Sequence, residues 1–210
     1  MNRIRQLLRV QAIRNGIATD LHDDIGSTLS NINILTELSK ANLGEPEQAG
    51  KFLKRIAEEV NNSNQSLDDI VWSINTMNDS YEQIAARMRR YAGEVFEGAD
   101  ITYHIHFDER IVHKKLDMEK RKDIYLVFKE AVNNIYKHSG ATSVEINLQT
   151  DQNYFQMIIK DNGKGFDQSA PTTRNGVKNM KIRASKWQGS ITILSASGKG
   201  TTLTIVIPVS

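Results

Sequence analysis

Ahead of Asn42, apolar residues return every three or four positions: Leu7, Val10, Ile13, Ile17, Leu21, Ile25, Leu29, Ile32, Leu35 and Leu38. That period predicts one long amphipathic helix. Asn42-Leu43-Gly44-Glu45-Pro46 then supplies helix-stop chemistry. A second stripe follows at Phe52, Ile56, Val60, Leu67, Ile70, Ile74 and Met77. Two such helices joined by a short turn form a hairpin whose apolar stripe neither can cover alone. A four-helix bundle built from two chains would bury it; packing against the remainder of the same chain is the alternative.

The pattern changes after about residue 80. Tyr81 to Phe96 still reads as helix, with Ile84, Met88 and Tyr91 on one side, and Leu116 to His138 is helical again. Between and after them come branched or alternating runs that predict strands: Ile101 to Phe107, Val144 to Leu148, Tyr154 to Ile159, Ile191 to Leu194 and Leu203 to Ile207. One short helix, about Val177 to Trp187, interrupts them. The strands lack the regular intervening helices of a doubly wound sheet. The predicted fold is therefore a helical hairpin, residues 1–79, followed by an α+β sandwich, residues 80–210, with helices on one face of a mixed sheet.

Composition narrows the function classes. With 27 basic against 25 acidic side chains, the net charge of +2 argues against a dedicated nucleic-acid partner. The absence of cysteine excludes disulfides, thiolate metal sites and cysteine nucleophiles. No apolar run approaches the ~20 residues that cross a bilayer, and the first residues are too charged for a secretory signal.

Three segments of the second half carry candidate chemistry. Glu130, Asn134, Lys137 and His138 fall at helical spacing on one face, opposite a core face of Val127, Ala131 and Ile135. A carboxylate, an amide and a cation so arranged can hold Mg²⁺ and phosphate oxygens; a solvated helix face is the plain alternative. Asp161-Asn162-Gly163-Lys164-Gly165-Phe166 follows an apolar strand. A carboxylate there can accept a hydrogen bond from an adenine amino group while the glycines let backbone approach the ring; an ordinary Asn-Gly turn fits as well. Asn175-Gly176-Val177-Lys178 opens the short helix, whose free N–H groups can bind phosphate with Lys178 adding charge. Gly198-Lys199-Gly200-Thr201 leads into the last strand and also reads as a hairpin turn.

Taken in order, these segments resemble the ATP-binding domain shared by histidine kinases, gyrase-type topoisomerases, Hsp90-type chaperones and MutL-type repair proteins. The resemblance covers roughly residues 120–208. It implies Mg-ATP as ligand, with Asn134 holding the metal and Glu130 organising it. It also implies Asp161 as the adenine reader and Thr201 as its helper. Gly163, Gly165 and Gly176 would frame a short lid over the phosphates.

Some members of that superfamily phosphorylate nothing, so the first half must decide. It contains Asp20-Leu21-His22-Asp23-Asp24-Ile25-Gly26. His22 lies off the apolar stripe, with Ala18 and Gly26 one turn away on either side, which leaves room for a bulky partner. An imidazole is a nucleophile when one nitrogen is free and the other is held by a neighbour, and Asp23 is the candidate for that neighbour. This segment looks like the His-Asp phosphoacceptor box of one class of sensor histidine kinases, and Asp69-Ile70-Val71-Trp72-Ser73-Ile74-Asn75 resembles a variant common in periplasmic-sensor kinases.

The resemblance implies a homodimeric kinase that phosphorylates His22 and passes the group to an Asp of a response regulator. It also implies a cytoplasmic location, as part of an inner-membrane sensor protein. Ser27 stands where phosphatase-competent relatives often carry Gln, which puts phosphatase activity in doubt. His104, His106 and His113 read as surface residues. The competing expectation is an ATP-gated clamp or binding module without phosphotransfer.

Overall fold

The computed structural model describes residues 25–75, 80–108, 117–150, 153–167 and 175–208. Its contacts divide the chain into two units, Met1–Ile74 and Asn75–Ser210. In the first, helix α1 runs over residues 25–41 and helix α2 over Pro46–Ile74. The break between them is set by local chemistry. Asn42 Nδ2 donates to the Leu38 carbonyl at 2.7 Å and so competes for the end of α1. Pro46 then opens α2 at a first-turn position that needs no N–H.

The apolar stripe of the hairpin divides. Leu35 and Ile70 are buried, whereas Leu29 (60% exposed), Leu38 and Val60 are exposed; off the stripe, Ala49 is buried and Leu53 and Val71 (65%) are exposed. Met77 of the predicted stripe lies outside the described residues.

The second unit begins with α3 (Tyr81–Glu97), capped by Ser80, whose side chain accepts from the Gln83 N–H. Tyr81, Ile84, Met88, Ala92 and Phe96 recur at helical spacing and are buried. Strand β1 (Thr102–Phe107) follows, then α4 (Met118–Asn134), capped by Asp117 on the Glu119 N–H. The predicted helix to His138 changes form at its end. Ile135–Ser139 is a π-helical turn closed by Gly140 in the left-handed region, φ 62°. Strands β2 (Ser143–Thr150) and β3 (Tyr154–Asp161), helix α5 (Asn175–Lys186) and strands β4 (Ser190–Ser195) and β5 (Thr201–Pro208) complete the order.

The five strands form one mixed sheet in the order β1-β2-β3-β5-β4, with β1 and β2 parallel and the other pairs antiparallel. Its register stacks side chains in rows. Phe107, Leu148, Met157, Ile205 and Ile191 make one row; Ile105, Ile146, Ile159, Leu203 and Ile193 make the next. These residues share the face that the core occupies, because a strand alternates its side chains with period two. The following row on that face is Tyr103, Val144, Asp161, Thr201 and Ser195. The apolar core thus ends in a polar row, and the candidate chemistry sits at that edge.

Candidate functional site

Asp161 is in phase with Ile159 and Met157, so strand alternation sends a carboxylate toward the core side, where it is only 5% exposed. The Gly163 N–H donates to its Oδ1 at 2.8 Å, and the Thr201 backbone N–H donates to the same carboxylate. Burial raises its pKa above the ordinary value; the two N–H bonds pull the other way without cancelling it. The result is a buried acceptor, pre-oriented by backbone.

The turn after Asp161 is built from four other segments. A Cβ on Gly163 would come within 2.5 Å of the Ser139 carbonyl oxygen and 2.8 Å of Ser139 Cβ, so only glycine lets β3 pass the end of the π-helical turn. The Lys164 N–H bonds the Ser139 carbonyl at 2.9 Å, and the Ser139 hydroxyl itself bridges the Ile135 carbonyl and the Ala141 N–H. Asn162 fixes the start of β2: its Oδ1 accepts from the Thr142 and Ser143 N–H groups, each at 2.9 Å, and its Nδ2 donates to Thr142 Oγ1. Gly165 has φ +59° and packs against the backbone of Ala196 and Gly200, a position closed to a side chain on both counts. The Ser195 hydroxyl accepts from the Phe166 N–H, donates to the Gly200 carbonyl and lies 3.0 Å from Thr201 Oγ1.

Two further candidates meet on α4. Asn134 Nδ2 donates to Glu130 Oε1 at 3.2 Å. The carboxylate takes the amide's NH₂ side and leaves the Asn134 oxygen available. Gly176, in the first turn of α5, stands against the same Glu130 carboxylate: a Cβ there would fall on Oε1. The N-terminus of α5 is therefore brought to the Glu130–Asn134 pair. Lys178 is exposed on α5, and Lys137 and His138 are exposed on the π-helical turn. The single face predicted from α-helical spacing holds for Glu130 and Asn134. It lapses at Ile135, where the wider turn takes Lys137 and His138 out of α-helical phase.

The residues thus fall into two groups, one around Asp161 (Gly163, Gly165, Thr201) and one around Glu130 (Asn134, Gly176). The π-helical turn that follows Asn134 touches the first group through Ser139. His22, Asp23 and His113 lie outside the described residues, as does 168–174 of the lid segment. His104 and His106 are exposed on β1, as expected. Ser27 is exposed on α1 and lines a small polar pocket with Thr28, Asn62, Ser63 and Ser66. Ser139, Asn162 and Ser195 contribute beyond the predicted site residues. Asn162 stands in the candidate segment, marked there only by its Asn-Gly turn. Ser195 was accessible from strand alternation, since it continues the row of Ile191 and Ile193. Nothing local marks Ser139.

A mixed sheet thus carries a buried carboxylate and glycine turn at one strand end, beside a helix bearing Glu130 and Asn134. Residues 119–210 match the family of histidine kinase-, DNA gyrase B- and HSP90-like ATPases, and residues 14–93 match a histidine kinase family. Sensor histidine kinase DesK of Bacillus subtilis is 28% identical over 209 residues, which cover 98% of this chain and 53% of that protein. DegS of Brevibacillus brevis, a signal transduction histidine-protein kinase/phosphatase, is 24% identical over 204 residues, covering 94% and 51%. The chain spans about half the length of these curated relatives. The histidine kinase domain of the Erythrobacter litoralis EL346 blue-light activated histidine kinase shares the fold, with TM-score 0.56 at 14% identity over 91% of this chain and 94% of that one. Residues 14–93 and 119–210 thus both match histidine kinase families, and the curated relatives are themselves histidine kinases.

Proposed function

We propose that this chain is a kinase core that binds Mg-ATP at the Asp161 and Glu130–Asn134 groups, phosphorylates His22, and passes the phosphoryl group to an Asp of a response regulator. The observation that supports it most is the meeting of Asn134, Glu130 and the α5 N-terminus at one place, joined through the π-helical turn and Ser139 to the turn that follows a buried carboxylate. An ATP-binding site needs those two ends, one for metal and phosphate and one for adenine.

Each residue has a task in this reading. The Asp161 carboxylate accepts from the adenine amino group, and Gly163 leaves space for the ring beside the backbone. Thr201 holds Asp161 by its N–H and borders the site with its hydroxyl. Asn134 offers an amide oxygen and Glu130 a carboxylate, which is the hard oxygen set that suits Mg²⁺. Bound there, Mg²⁺ would supply charge neutralisation on the phosphate oxygens. The N–H groups that open α5 at Gly176, with Lys178, would bind phosphate. Lys137 and His138 offer further donors at the mouth.

In the transfer itself, an imidazole nitrogen of His22 forms a bond to the γ-phosphorus as the bond to the β–γ bridging oxygen breaks and ADP departs. The ring proton passes to the Asp23 carboxylate. Alignment supplies most of the rate, because little covalent work falls to the protein.

The exposed apolar side chains of the hairpin, Leu29, Leu38, Leu53, Val60 and Val71, support a homodimer. Each such side chain gains about 1.5–3 kcal/mol on full burial. Among the described residues no helix is long and apolar enough to cross a membrane. Membrane anchoring of a longer protein, with this part on the cytoplasmic side, completes the proposal. The test is labelling with γ-labelled ATP and Mg²⁺. The wild type should acquire acid-labile, base-stable label and the His22→Gln variant none; stable label on His22→Gln would refute the acceptor assignment.

A further inference from the structure

Away from the nucleotide groups, α4 carries a second buried carboxylate. The Asp123 side chain is 7% exposed and is held from three sides. Arg183 Nη1 meets its Oδ1 at 2.9 Å, and Trp187 Nε1 donates to its Oδ2 at 2.8 Å. Lys186 Nζ lies 3.2 Å from Oδ2 and also reaches Glu119 at 3.1 Å. The Trp187 ring lies 5.0 Å from Lys186 Nζ and 5.3 Å from Lys120 Nζ, and Lys120 in turn donates to the Pro208 carbonyl at the end of β5. Every one of these cations and the indole belong to the last turn of α5, the residue after it, or the first turns of α4.

The position of this cluster gives it a consequence at the other end of the helix. Asp123 and Glu130 are seven residues apart, two turns, and so share one face of α4. Helix α5 packs on that face antiparallel, its C-terminal end on Asp123 and its Gly176 end on Glu130. A helix rises about 1.5 Å per residue, so α5 is a rigid bar of roughly 16 Å between the two contacts. A slip of one turn at Asp123 would carry Gly176 about 5.4 Å from Glu130. A Cβ at Gly176 would fall on Glu130 Oε1, so the observed contact belongs to the register that sets glycine against that carboxylate. The adenine end does not share this dependence: Asp161 and its turn are held by Gly163, Ser139, Asn162, Ser195 and Thr201.

We propose that Asp123 is a positioning residue for nucleotide binding: by pinning Arg183, Lys186 and Trp187 it sets the register of α5 along α4, and thereby the grip on the phosphate end of ATP but not on adenine. The proposal rests on the ATP reading of the site. A role confined to fold stability would weaken every ligand together, so the test compares two ligands. Mg-ATP and adenosine are titrated against the intact chain by calorimetry, with adenosine measured by competition. The variants are Asp123→Ala and Trp187→Phe; the second keeps the ring and removes only the indole donor. Asp123→Ala should weaken Mg-ATP about tenfold or more and leave adenosine within about twofold. Trp187→Phe should move Mg-ATP the same way by about threefold, and it answers the question alone if the alanine variant does not fold. Equal weakening of both ligands, or no weakening of Mg-ATP in a folded variant, would overturn the positioning role while the ATP site stands. Failure of the wild type to bind either ligand would overturn the ATP site and the positioning role together.

Discussion

Replacing Asp161 by Asn separates what the buried carboxylate does for the fold from what it does for the ligand. The side chain is 5% exposed, and two backbone N–H groups, from Gly163 at 2.8 Å and from Thr201, already donate to it. Asn is isosteric and keeps one oxygen for those donors, while the other oxygen becomes an NH₂. Burial holds the Asp161 pKa up, so its ionised form is disfavoured in the folded chain. Removing the charge therefore relieves a desolvation cost, and the variant should melt no lower than the wild type. The adenine amino group, however, would face a second donor instead of an acceptor. A hydrogen bond to a charged group contributes about 1.5–3 kcal/mol. At about 1.4 kcal/mol per decade, ATP affinity should fall about 10- to 100-fold. Thermal unfolding and an ATP titration on the same preparation measure both numbers. Affinity within about twofold of the wild type, or a melting loss large enough to account for the weaker binding, would refute the reasoning.

Other substitutions test neighbouring parts of the site. Gly176→Ala places a methyl on the end of a flexible Glu130 side chain, which can swing aside and give up its 3.2 Å bond to Asn134. Helix stability should hold or rise by up to about 1 kcal/mol, while Mg-ATP affinity, read by titration, should drop about fivefold with the loss of that hydrogen bond. Gly165→Ala is the contrasting case: its φ of +59° and the Ala196 backbone leave no such escape, so a loss of more than about 1 kcal/mol should appear in chemical unfolding. Asn134→Ala should abolish autophosphorylation with circular dichroism unchanged, and unchanged phosphorylation would remove its metal role. A pH series on Asp161 should show two opposite trends. Its folded pKa lies above the unfolded 3.8, so its contribution to stability rises as pH falls through the folded pKa and is complete below the unfolded one. Affinity for ATP falls through the same window, because the protonated group is a weaker acceptor and its O–H adds a donor beside the adenine amino group. The Asp161→Asn variant should lack both trends.

Much of this arrangement was legible from residue pattern because local rules and tertiary structure agree there. The apolar alternation at Val144, Ile146 and Leu148 and at Phe155, Met157 and Ile159 carries directly into the buried rows of the sheet. Asp161 stands two residues after Ile159, so the same alternation that buries isoleucine places the carboxylate at the core edge. Val127, Ala131 and Ile135 are buried as their helical spacing predicts.

The departures have tertiary causes. Ile135-Tyr136-Lys137-His138 continues an α-helical pattern, yet the chain turns π-helical there, where Gly140 takes a left-handed conformation and the Ser139 carbonyl receives the Lys164 N–H from 25 residues on. Asp123 reads as one more charge on an amphipathic helix, since its partners Arg183 and Trp187 lie 60 and 64 residues away. In the hairpin, the stripe through Leu29, Leu38 and Val60 was recognisable, but one chain buries only part of it.

The most direct test of the account is to incubate the wild type with Mg-ATP and map the modified residue by mass spectrometry under neutral conditions, with Asp161→Asn alongside. The account predicts phosphate on His22 in the wild type and far less on the variant at limiting ATP. Phosphate on another residue, or ADP formed with His22 unmodified as an ATPase clamp would leave it, would contradict it.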